Sequence, residues 1–150
     1  MFLMNYPSLF LNVIQREDSV KDVSAALSQM SSTELFTILQ RGALTSKQRS
    51  NLLGVLYRKL DAESFFLGMY NLASLLQKED KAGASREIFE MLAEMTHDVN
   101  GEIAGKALYK LAQASEDAGV REEYLRQCIR LYPIHEAARR ELEASRSING

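Results

Sequence analysis

The pattern Tyr-x-Leu-Ala occurs twice in this chain, at Tyr70-Asn71-Leu72-Ala73 and again at Tyr109-Lys110-Leu111-Ala112. Each copy lies in a stretch whose apolar residues recur at three and four positions, the spacing of one helical face. Each is followed by a polar turn, at Asp80 and at Gly119, and then by a second amphipathic stretch. A helix–turn–helix unit cannot bury its apolar faces alone. Repeated at such an interval, it closes them by stacking on its neighbour, which constrains the chain to a helical array.

Composition agrees with that constraint. Leu and Ala dominate over Val, Ile and Thr, and only Pro7 and Pro133 interrupt the chain, so strands are disfavoured and long helices permitted. Hydrophobic residues make up 46% and charged residues 25%, enough apolar surface for a core without disulfides or metal. The net charge of −2 supplies no general attraction to nucleic acid or anionic membrane. Cys128 is the only cysteine, and His97 and His135 stand in no ligand spacing, so neither a metal nor another cofactor is expected. The apolar start (Met1 to Met4, then Pro7 to Ile14) has no Lys or Arg before Arg16 and no small-residue cleavage site. It is expected to be a docked first helix rather than a signal peptide. With no membrane span either, the expected location is cytoplasmic.

About seven or eight helices are predicted. Asp18 or Ser19 is placed to cap a helix carrying Val20, Val23, Leu27 and Met30. Ser31 with Glu34, and Thr45 with Gln48, are capping-box pairs, the first helix ending at Gly42. Asp61 is placed to cap a helix bearing Phe65, Phe66, Met69, Leu72, Ala73 and Leu76, ended by Gln77 to Asp80. The next carries Ile88, Phe89, Leu92 and Met95, with Glu87, Glu90 and Glu94 on a solvated face. Thr96 to Gly101 reads as the clearest loop, and Gly119 as the stop of the helix containing Leu108, Leu111 and Ser115. A stripe of Tyr124, Leu125, Cys128, Leu131 and Tyr132 ends at Pro133. Ile134, Ala138 and Leu142 line a last helix that frays from Ser145.

With Ser85, Phe89 and Leu92 after the first repeat, and Leu125, Cys128 and Leu131-Tyr132-Pro133 after the second, residues 64 to 145 resemble the tetratricopeptide repeat family. The interval exceeds that family's usual length of about 34 residues; the Thr96–Gly101 loop is expected to hold the excess, and Met69 stands where a large aromatic is usual. The resemblance implies an all-α, right-handed α-solenoid of antiparallel helix pairs over residues 62 to 150, closed by a solvating helix. Residues 1 to 61 would be an N-terminal helical extension or degenerate repeats. It further implies a protein-interaction module, an adaptor, scaffold or chaperone, in which the first helix of each unit lines a concave groove for a partner peptide or helix. On this chain that surface comprises Tyr70, Asn71, Ser74, Gln77, Lys106, Tyr109, Lys110 and Gln113. Lys106 and Lys110 share a helical face, and with Asn71 they match part of the arrangement by which some members grip a peptide carboxylate. The competing reading is that both tyrosines simply pack between helices. Uncovered apolar ends of such a stack would also favour homo-oligomers.

A different function is written in residues 32 to 60: two helices joined at Gly42-Ala43-Leu44 have the form of a DNA-binding helix–turn–helix regulator. Lys47, Gln48, Arg49 and Asn51 would then reach base edges, with Arg58 and Lys59 on phosphates. Basic and acidic side chains nearly balance in this half, so no strong basic face accompanies the motif. The C-terminal arginines, including Arg121, Arg126, Arg139 and Arg140, are matched by glutamates and read as a salt-bridged face. No phosphate loop, nucleophile elbow or metal-binding His pair is present, and no enzymatic activity is expected.

Overall fold

The computed structural model describes residues 27–149, with side chains through residue 146. The predicted helices before Leu27, including the one over Pro7 to Ile14, lie outside the described residues. Among those described there are seven α-helices and no strand: α1 Ser32–Arg41, α2 Ser46–Lys59, α3 Ala62–Lys78, α4 Ala82–Thr96, α5 Gly101–Ala114, α6 Ala118–Leu131 and α7 Glu136–Asn149. They fall into two compact units whose boundary lies within α3, between Phe65 and Phe66. No described helix is long and apolar enough to cross a membrane.

In the first unit α1 packs on α2. Ser31 Oγ accepts from Glu34 N while Glu34 Oε1 accepts from Ser31 N, and Thr45 with Gln48 repeats the arrangement at α2. Each box satisfies two backbone donors that a bare helix end would leave open. Gly42 ends α1 in extended geometry (φ −77°) with its N–H on Ile38 O, so the chain leaves the helix without a left-handed residue. Leu35, Ile38, Leu39, Leu52 and Leu56 are buried, and Tyr57 stands edge-on to Phe65 at 5.1 Å. Asp61 caps the start of α3 by accepting from Ser64 N.

In the second unit successive helices pack on one another, α4 on α5, α5 on α6 and α6 on α7. At the end of α3 Asp80 adopts φ 61°, with Lys81 N–H on Leu76 O and Asp80 N–H on Gln77 O. This is the Schellman closure, with aspartate in the left-handed position that glycine usually fills. Ser85 then donates to Ala73 O at 2.8 Å, tying α4 to α3 through a buried bond that needs a small residue on each helix.

Three boundaries differ from the sequence reading. Thr96 is the last, buried residue of α4, its hydroxyl on Leu92 O, and the turn is confined to residues 97–100. Asn100 caps α5 by accepting from Ile103 N, so Asn100-Gly101 starts a helix. The long repeat interval therefore resides in the 17-residue α3 and 15-residue α4, not in a long loop. Gly119 stops nothing: α5 ends at Ala114, Asp117 caps α6 by accepting from Val120 N, and Gly119 lies inside the first turn of α6. At the C-terminus Ile134 precedes α7 and is 71% exposed, leaving Ala138 and Leu142 as the buried contacts, and the helix continues past Ser145 to Asn149.

The α5–α6 contact is unusually close. A Cβ built on Gly105 would stand 2.5 Å from Tyr132 Cβ and 3.3 Å from Cys128 O, and one on Gly101 would collide with Leu131 O. Glycine at both positions lets α5 lie against the backbone of the end of α6. Cys128 is fully buried there, and burial pushes its thiol up to about 11.

Candidate partner-binding surface

Equivalent positions of the two repeats share their environment in the second unit. Leu72 and Leu111 are buried, as are Ala73 and Ala112, Met69 and Leu108, and Phe89 and Cys128. Tyr70 and Tyr109 are both half-buried. The small alanines sit in the buried faces, and each tyrosine directly follows the buried Met69 or Leu108, at the edge of that face.

Tyr70 stands edge-on to Phe89 with centroids 5.7 Å apart. Burial raises its phenol above the usual range, while the charge of Lys106 acts in the opposite direction. Lys106 thus brings α5 into the electrostatic neighbourhood of α3. Its ammonium donates to Glu102 at 2.8 Å, and that bond holds its proton more firmly than usual. Lys106 also feels Tyr132, at the end of α6. One α5 turn further on, Tyr109 donates to Glu141 of α7 at 3.1 Å and packs against the His135 ring at 4.4 Å. Burial, then Glu141, raises the Tyr109 phenol, and a hydrogen bond with Gln113 acts the other way.

The charge of Lys106 thus reaches Tyr70 and His135, and His135 packs on Tyr109, which is bonded in turn to Gln113. Asn71 is exposed beside Tyr70, and Ser74 donates its hydroxyl to Tyr70 O within its own helix. Gln77 and Lys110 are half-buried, and Lys110 makes no ion pair among the described residues. The tyrosines pack between helices, as the competing reading requires, yet both remain half-open. Three members escape the sequence: Tyr132, His135 and Glu141. Glu141 lies 32 residues from its partner Tyr109, and nothing local to Tyr132 or His135 marks them as its neighbours. Next to this cluster a cavity of about 640 Å³ opens between α5, α6 and α7, with Gln113, Leu125 and Glu141 among its walls.

A second cavity, about 410 Å³, lies between α4 and α6 over Leu108 and Leu111. Glu90, Glu94 and Arg130 all line it, so these carboxylates edge a cleft instead of lying on a purely solvated face. The C-terminal salt-bridged face is present in part: Arg126 pairs with Glu122 and Arg140 with Glu136, each one helical turn apart, and Arg121 instead donates to Ser115 O.

In the first unit, two of the six residues of the DNA-reading hypothesis, Gln48 and Arg49, hold backbone partners. Gln48 is buried and its Oε1 is taken by Thr45 N, while Arg49 Nη1 donates to Leu44 O. Both would have to abandon backbone partners to reach a base edge. Among the described residues there is no cluster of three metal-ligating side chains.

No family model, curated protein or solved structure matches this chain.

Proposed function

We propose that the chain is a protein-interaction module whose second unit holds a partner segment against the surface centred on Tyr70, Lys106 and Tyr109. The observation that carries this reading is the half-open cluster in which Tyr109 of α5 meets His135 and Glu141 at α7, with the charge of Lys106 felt by His135 and by Tyr70 of α3. Such a cluster offers what interface cores use: rings with large apolar area and little entropy to lose, rimmed by polar groups that fix register. The matched environments of the two repeats support reading α3–α4 and α5–α6 as antiparallel pairs of a right-handed, tetratricopeptide-like solenoid with α7 as its solvating helix. Binding then requires no chemical step. An adaptor, scaffold or chaperone role fits this mode of contact equally well, in the cytoplasm.

The test is retention of partners from source lysate by the full chain, with and without nuclease, against a Lys106→Glu/Lys110→Glu variant. These substitutions alter charge at the surface while leaving the tyrosine packing in place. A stoichiometric protein that survives nuclease and is lost from the variant, with unchanged circular dichroism, is the expected result. Equal retention by the variant, or loss of all retained protein on nuclease treatment, would overturn the assignment.

A further inference from the structure

We propose that His135 is a pH-operated N-cap that fastens α7 to the Tyr109 edge of the binding surface when neutral and releases it when protonated. The geometry is specific. His135 O accepts the first intrahelical bond of α7 from Arg139 N, and His135 Nδ1 accepts from Ala138 N at 3.2 Å. This is the N-cap arrangement, with an imidazole nitrogen in the place of the usual hydroxyl or carboxylate oxygen. A ring nitrogen accepts only while it carries no proton, so the bond fixes the neutral Nε2–H tautomer.

The ring is also what holds the turn to its neighbours. It packs on Tyr109 at 4.4 Å and edge-on to Tyr132 at 5.9 Å. Protonation would convert the cap from acceptor to donor, facing a backbone N–H, at the helix end where a positive charge is least favourable. The charged and titratable groups around it are Lys106 and Tyr109 from α5, Tyr132 from the end of α6, and Glu141 from α7. Burial is the main influence opposing the proton and Lys106 adds to it, while His135's own backbone and Glu141 act against them; the balance lies below the ordinary histidine value of 6.5. The cap is therefore complete above 6.5 and is lost as pH falls through the folded-state value, which lies lower. Glu141, within two turns of the cap on α7, carries the hydrogen bond to Tyr109, so the same protonation loosens a wall of the surface described above. That last consequence rests on the proposed function; the cap itself does not.

The experiment is nuclear magnetic resonance of the full chain from about pH 8 to pH 5, comparing the natural protein with His135→Asn. Asparagine retains an acceptor at the N-cap and does not titrate. In the natural protein the His135 ring should titrate below 6.5, the Ala138 amide should shift with the same midpoint, and its protection factor should fall by about fivefold, as for a lost N-cap. In His135→Asn the Ala138 amide should be insensitive to pH over this range. A His135 midpoint at or above 6.5, an Ala138 amide that ignores it, or an equal pH response in His135→Asn would each overturn the proposal. None of these readouts involves a partner, so the failure of the cap and the failure of the binding assignment are separately visible.

Discussion

Gly54→Ala and Gly105→Ala are the same chemical change inside two helices, and the structure gives them opposite signs. In a helix interior alanine is favoured over glycine by about 1 kcal/mol, because it has less backbone freedom to lose. A Cβ on Gly54 meets nothing within 4 Å, so this gain is realised and α2 should be stabilised by about 0.5–1 kcal/mol. On Gly105 the Cβ would stand 2.5 Å from Tyr132 Cβ and 3.3 Å from Cys128 O. Neither neighbour is the far end of a flexible side chain. One is fixed directly to the backbone and the other is part of it, so α5 and α6 must move apart. Overpacking of this kind costs about 1–3 kcal/mol, and the upper part of that range applies where backbone must yield. After the propensity gain, Gly105→Ala should destabilise by about 1–2 kcal/mol. Urea unfolding followed by far-ultraviolet circular dichroism measures both; for a chain of this size 1 kcal/mol corresponds to about 2–4 °C in Tm. A Gly105→Ala variant as stable as the natural protein would show that α5 and α6 do not approach as described.

Asp80→Gly should stabilise by about 0.5–1 kcal/mol, because glycine enters the left-handed region without the Cβ penalty that aspartate bears at φ 61°; thermal unfolding will show it. Ser85→Ala should cost about 0.5–1.5 kcal/mol in urea unfolding for the lost bond to Ala73 O. Ser85→Val, which adds volume where the two helices touch, should cost more. Asp61 is held below the ordinary 3.8 chiefly by the Ser64 backbone N–H. A carboxylate with a depressed folded value contributes stability that is present above 3.8 and is lost as pH falls through the folded value. Denaturation midpoints across that range should therefore decline less steeply in acid for Asp61→Asn.

Local signals are the most readable part of this chain. Ser31 with Glu34, and Thr45 with Gln48, announce their helices because a capping box is a reciprocal bond between near neighbours. The buried face of each helix follows from periodicity, and the paired environments of Leu72 with Leu111 follow from the repeat. The purpose of a glycine is harder to read. Gly119 looks like a terminator and is a passenger behind the Asp117 cap, whereas Gly105 inside its helix is indispensable to a contact with Tyr132, beyond the far end of the next helix. The cluster is half legible for the same reason. Tyr70, Lys106 and Tyr109 lie on repeated first helices, but His135 and Glu141 join them only through tertiary packing. Glu90 and Glu94 look solvated from their own helix, since the cleft they border is made by α6.

Cys128 turns the tight seam between α5 and α6 into something that can be timed. It is the chain's single thiol, has no exposed surface, and keeps its proton at neutral pH. A disulfide reagent can therefore react only with molecules in which Cys128 has become exposed, whether the seam has parted locally or the chain has unfolded. Labelling rate against urea concentration separates a local parting of these two helices, which is insensitive to denaturant, from global unfolding, which is not. The protein thus carries an unengineered clock at the contact that its glycines make possible.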